Sequence, residues 1–207
     1  MASIVSVELG RFSVTVRFDD ETRFNVRKKD VTHFSLCPGK VCDSERLAAQ
    51  ISSFQLDDAY ESALCSLDVC ARTENEIRSK LLRKGFLPAA VDAVCERLQN
   101  ARLLDDAQIA EKLVSSMNHS GKGKYAIVRK LRSRGISDET SEELISSLDE
   151  EIQTESCVLA CQRLWHKYDK GDERETKRKL SQALARRGFT WDSIEAALER
   201  ISSDASD

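Results

Sequence analysis

Between residues 4 and 26 apolar side chains alternate with polar ones. Phe12, Val14, Val16 and Phe18 stand two apart, and Thr22, Phe24 and Val26 resume the period after Asp19-Asp20-Glu21. Period two with aromatic and β-branched residues predicts strands, and the acidic break predicts a hairpin loop. Val5, Val7 and Leu9 predict a third strand ending before Gly10. Two or three strands are marginal alone, so the sheet needs a cover. A helix from Ser44 to Phe54, carrying Leu47, Ala48 and Ile51, would supply it after a turn at Cys37-Pro38-Gly39.

From Leu56 onward the period is helical, and three glycines organise it. Gly85, Gly135 and Gly188 share their surroundings: Ile77, Ile127 and Leu180 eight residues before, Leu81, Leu131 and Leu184 four before. Lys84, Arg134 and Arg187 come immediately before, and Phe86, Ile136 and Phe189 immediately after. Val94, Leu144 and Ala197 follow at eight positions, Leu98, Leu148 and Ile201 at twelve. Apolar residues at −8 and −4 stack on one helix face, and the cation suits the negative end of the helix dipole. Glycine takes the left-handed turn, and the next apolar residue folds back over the last helical turn. A further helix begins at once, at Pro88 or after Ser137 or Thr190. Helices over 57–70, 105–117 and 152–168 precede the motifs, with a capping box at Thr73-Glu-Asn-Glu76 and an acidic start at Asp105-Asp-Ala-Gln108. The expected fold is mostly α: three tandem three-helix repeats (56–104, 105–149 and 150–203) in an elongated array. A small N-terminal β-hairpin or sheet with one covering helix (1–55) precedes them, and 204–207 form a frayed tail. Repeats of this kind bury their faces by stacking.

Composition narrows the class. The chain has 207 residues and is 41% hydrophobic, enough for a core, with 8 Gly and 2 Pro, too few for a low-complexity chain. Its apolar runs are too short to cross a bilayer, and no secretory pattern opens it. Seven irregularly spaced cysteines argue against a disulfide framework and for a reducing cytoplasm. The net charge of −3 hides a polarised distribution. Residues 73–84, with Arg78, Lys80, Arg83 and Lys84, net +2. Residues 122–134, with Lys122, Lys124, Arg129, Lys130, Arg132 and Arg134 and no acid, net +6. Residues 173–187, with Arg174, Lys177, Arg178, Lys179, Arg186 and Arg187, net +4. The helix after Gly135 is acidic, with Asp138, Glu139, Glu142, Glu143 and Asp149. Regular stacking would line the three basic helices along one flank, attracting a polyanion or an acidic protein surface. Tyr125 is the one aromatic in a basic stretch, so base-by-base reading of single strands is not expected.

No catalytic constellation emerges. Cys157/Cys161, Cys65/Cys70 and Cys37/Cys42 lack zinc-ribbon spacing and read as core thiols; a His33/Cys37/Cys42 metal site is the weaker alternative. Gly121-Lys-Gly-Lys124 departs from the Walker spacing and reads as a flexible helix entry whose lysines and amides could meet a phosphate. Trp165 and Trp191 read as packing anchors. No cofactor, metal or membrane partner is expected, and the chain is expected to act as a monomer.

The repeats, together with Leu103-Leu104-Asp105-Asp106, Gly121-Lys122-Gly123 ahead of a basic helix, and Arg186-Arg187-Gly188-Phe189, resemble the RecX regulators of the bacterial RecA recombinase. The likeness covers residues 56–201. Where family members often carry a cation near the end of the helix beginning at Asp105, this chain reads Met117-Asn118-His119. The resemblance implies tandem three-helix repeats and a non-enzymatic regulator of recombination and DNA repair. Such a regulator binds in the groove of the RecA–DNA filament and damps its extension, ATPase and strand exchange. The expected contacts are Arg129, Lys130, Arg132 and Arg134, then Lys122 and Lys124, with Lys80, Arg83, Lys84, Arg178, Lys179, Arg186 and Arg187 on the flanking helices. The alternative is a sequence-nonspecific architectural protein binding single- or double-stranded DNA directly, since a three-helix unit with one basic helix resembles helix-turn-helix modules.

Overall fold

The computed structural model describes residues 1–168 and 172–204, with side chains to residue 201. The tail expected from residue 204 lies outside the described residues apart from Asp204, which ends the last helix. The chain divides into two compact units, Met1–Asp105 and Asp106–Asp207.

The first unit opens with β1 (Ala2–Leu9), β2 (Val14–Phe18), β3 (Arg23–Val26), α1 (Lys28–His33) and β4 (Val41–Cys42). The strands form one sheet of order β3-β2-β1-β4, antiparallel throughout. Val14, Val16, Phe18 and Val26 face inward as their alternation predicts, and Phe18 meets Phe24 edge-on at 5.2 Å. β1 differs from expectation. Ala2 and Ile4 fill its core face, while Val5 and Leu9 are exposed. The register shifts between Ile4 and Ser6, and such an irregularity moves one residue out of phase, so a single face cannot be read through it. Phe12 lies in the turn and is exposed.

α2 (Ser44–Val69) runs continuously across position 55/56, where the sequence suggests a division. One helix of 26 residues replaces two, because no glycine or proline interrupts the segment. Leu47 and Ile51 cover the sheet; Ala59 and Ala63 belong to the first repeat core. Between them, fully buried Gln55 ties the parts together. Its amide nitrogen donates to Asp30 (2.6 Å) and to the carbonyl of Gly85 (3.1 Å), and its carbonyl accepts from the Leu87 amide (2.6 Å). Asp30, also fully buried, accepts from the Arg27 guanidinium and backbone amide. A buried carboxylate is tolerable because each oxygen has donors. α3 (Glu74–Arg83), opened by the expected Thr73–Glu76 capping box, and α4 (Pro88–Asn100) complete the unit.

The second unit contains α5 (Asp106–His119), α6 (Lys124–Ser133), α7 (Asp138–Ser146), α8 (Glu150–Tyr168), α9 (Glu173–Arg186) and α10 (Trp191–Asp204). The three middle helices end alike. Gly85, Gly135 and Gly188 have φ of 88, 75 and 87°, and Phe86, Ile136 and Phe189 donate back to Leu81, Leu131 and Leu184. All six apolar partners are buried. This is the Schellman arrangement, which needs a left-handed residue and an apolar residue after it. Ser137 and Thr190 cap the following helices through Thr140 N and Ser193 N. Trp165 packs against the third core with Cys157, Cys161, Leu180 and Leu184. Trp191 does not: it is 67% exposed, because Ile194, Ala197 and Ile201 occupy the core face of α10.

Candidate partner-binding surface

The second and third repeats meet through backbone. Gly123 N–H donates to the carbonyl of Arg187 (3.0 Å) and Tyr125 N–H to that of Gly188 (2.9 Å). The unsatisfied donors opening α6 thus meet the unsatisfied acceptors closing α9, and the opposed dipole ends reinforce the joint. A Cβ on Gly123 would collide with Phe189 N and Gly188 C; one on Gly188 would collide with Ala126 N. Beside this clasp Gln153 Nε2 donates to Asn118 Oδ1 (2.6 Å) and Ser156 Oγ to the Asn118 carbonyl (2.8 Å). Asn118 is thus an inter-repeat tether. Within the Gly121–Lys124 stretch the amides of Gly121, Lys122 and Gly123 are engaged by the carbonyls of Asn118, Met117 and Arg187, and that of Tyr125 just beyond it by Gly188.

The clasp lays the end of α9 along one face of α6. Lys122, Arg129, Lys130, Arg186 and Arg187 line a groove of about 320 Å³, floored by Met117, Ala126 and Ser133. Helical geometry selects the members, since positions 126, 129, 130 and 133 share one side of α6, and Lys122 stands just before its first turn. Among the described residues these five cations make no ion pair. The arrangement can bind anionic groups by charge and by the forked guanidinium donors of its three arginines.

The other expected contacts lie elsewhere. Lys124 lines a separate hollow with Glu150 and Asp192. Arg132 donates to Asp138 at 2.6 Å on an exposed surface, so its charge is engaged by the acidic helix that follows. Arg134 is half-buried. On α9, Lys179 (2.8 Å) and then Arg178 (4.0 Å) approach Glu175 and hold its carboxylate below the usual range. In the first unit Lys80 and Lys84 donate to Ser66 and Ser62, each at 2.6 Å, and Arg83 stands 6.0 Å from the Phe12 ring. The sequence omitted Gly123 as a site-building residue. Its signal was a cap position: Thr73 and Asp172 cap α3 and α9 with side chains, whereas α6 has a glycine there.

The cysteines divide. Cys95, Cys157 and Cys161 are buried, but Cys37, Cys65 and Cys70 are exposed, contrary to a uniform core reading. Burial pushes Cys157 up to about 12 and Cys161 to about 11. His33 stacks on Phe54 at 4.0 Å, and no group of three metal-ligating side chains is assembled among the described residues. No helix among them is long and apolar enough to cross a membrane.

Three family models match the repeats: the first three-helix domain of RecX over 59–98, the second over 105–145 and the third over 150–198. The regulatory protein RecX of Bacillus licheniformis is 30% identical over 187 residues, covering 90% of this chain and 71% of the relative. This chain belongs to the RecX family. The Bacillus subtilis regulatory protein RecX is likewise 30% identical, over 92% of this chain and 72% of the relative. A crystal structure of regulatory protein RecX superposes with a TM-score of 0.64 at 26% identity, covering 94% of this chain and 98% of the other. RecX from Lactobacillus salivarius shares the fold, with a TM-score of 0.67 at 24% identity over 72% of this chain and 98% of the other. The basic groove joins the second and third RecX domains, and the sheet precedes the first.

Proposed function

We propose that this RecX protein regulates the RecA recombinase without catalysis, seating its basic groove in the groove of the RecA–DNA filament and inhibiting extension, ATP hydrolysis and strand exchange. The carrying observation is the set of five cations, Lys122, Arg129, Lys130, Arg186 and Arg187, that line one hollow and make no ion pair among the described residues. Grouped like charges cost stability when the protein is alone, and an anionic partner relieves that cost. Lys80, Arg83 and Lys84 on α3 supply a second point of attachment. On a periodic polymer, two weak attachments gain from effective concentration. Occupying the filament groove would compete with incoming DNA and hinder the subunit motions coupled to ATP hydrolysis.

The same groove supports a second reading, direct binding of DNA phosphates. Titration into single- and double-stranded DNA at two salt concentrations, without recombinase, separates the two. Weak DNA binding together with inhibited ATP hydrolysis by preformed RecA filaments supports the first. Tight DNA binding with no effect on filament ATPase supports the second.

A further inference from the structure

β3 forms one edge of the N-terminal sheet. Phe18 N–H bonds to Thr22 O, so the hydrogen-bonded pairs with β2 continue at Phe24 and Val26. Backbone groups alternate in direction, and Arg23 and Asn25 therefore turn their amides and carbonyls away from β2. Below this edge lies a hollow of about 580 Å³, walled by Phe24, Ala48, Leu82, Phe86 and Pro88 among others. Leu82 is 42% exposed at its rim, and Arg23 and Asn25 are exposed above it. Among the described residues no acid lines the hollow. Past the Val14–Val26 end of the ladder, Arg11 and Arg83 hold exposed Phe12 between them, at 5.1 and 6.0 Å.

We infer that β3 is a docking site for an extended, acidic segment of a partner protein, which adds to the sheet as a fifth strand. The edge supplies paired donors and acceptors that only an extended backbone can match. Alternation in the added strand would send every second side chain into the hollow beside Phe24 and Leu82, which calls for apolar residues. The remaining side chains would rise beside Arg23 and toward Arg11 and Arg83, which calls for Asp or Glu. The sequence class is thus apolar–acidic alternation.

The test is a random heptapeptide display library panned on the full-length protein, with no recombinase present, so its outcome is separate from that of the RecA reading. Selected peptides should alternate apolar and acidic residues. N-methylating one alternate set of their amides should weaken binding at least about tenfold, while the other set is tolerated. Asn25→Pro removes an edge donor and leaves the β2 backbone ladder in place, since edge strands tolerate proline; it also gives up the bond that Asn25 Oδ1 accepts from Thr15 Oγ1 (2.9 Å), a loss that Thr15→Val reproduces with the edge intact. Asn25→Pro should lose the peptides whereas Thr15→Val keeps them, and Arg23→Glu should lose them at an unchanged melting temperature. Failure to recover peptides, a consensus without alternation, or equal binding by Asn25→Pro, Arg23→Glu and the parent chain would overturn the inference.

Discussion

Gln55 is the residue whose loss should be felt most widely in the first unit. It satisfies Asp30 from the sheet segment and both Gly85 O and Leu87 N from the first repeat, all in the interior. Gln55→Leu would leave three buried polar groups short of a partner. The expected destabilisation is about 2–4 kcal/mol, measurable by denaturant unfolding of variant and parent. Asp58 gives the acid limb of stability. Lys29 and Arg27 donate to it and hold its carboxyl below the ordinary value. Its contribution is present above the ordinary carboxylate range and is lost as pH falls through the lowered value; Asp58→Asn should flatten the acid limb of a melting-temperature profile. The buried thiols give the alkaline limb. Cys157 and Cys161 stay protonated in the fold above the pH at which free thiols ionise, so stability should fall as pH rises from about 9 toward their folded values. In Ellman titration at pH 8, Cys37, Cys65 and Cys70 should react promptly, and Cys95, Cys157 and Cys161 only on unfolding.

Among elements, the α6–α9 clasp brings the two basic segments together. Gly123→Ala introduces a single methyl where the backbone of residues 188 and 189 stands. It should destabilise the second unit by about 1–3 kcal/mol and weaken partner binding with it, since Arg186 and Arg187 reach the groove only through the clasp. Lys124→Ala, on the same helix but another face, should do neither. Thermal unfolding and inhibition assays on both variants check this. The elements also show what the sequence could tell. The three C′ glycines, their Schellman partners and the caps at Thr73, Ser137 and Thr190 were legible because each rests on neighbours within one helical turn. The β1 irregularity, the α2 continuity and Gly123 were not. A register shift breaks periodicity, a helix long enough for two duties shows no punctuation, and a close backbone approach is defined by residues 65 positions away in the chain.

At the scale of the whole molecule, a near-neutral chain concentrates cations where two repeats join. Counting charges along the sequence found the basic helices but not the subset that converges. Lys122, Arg129, Lys130, Arg186 and Arg187 share a hollow, whereas Arg132 is engaged by Asp138 and Lys124 lines a different hollow with Glu150 and Asp192. The central claim is that this subset is the grip on the filament. Its most direct test is ATP hydrolysis by preformed RecA–DNA filaments, titrated with the parent chain, with Lys130→Glu/Arg187→Glu, and with Lys124→Glu/Arg132→Glu. The account predicts that the first double variant loses about 2 kcal/mol or more of apparent affinity, roughly thirtyfold, while the second stays within about 1 kcal/mol of the parent. Equal inhibition by all three proteins would contradict it.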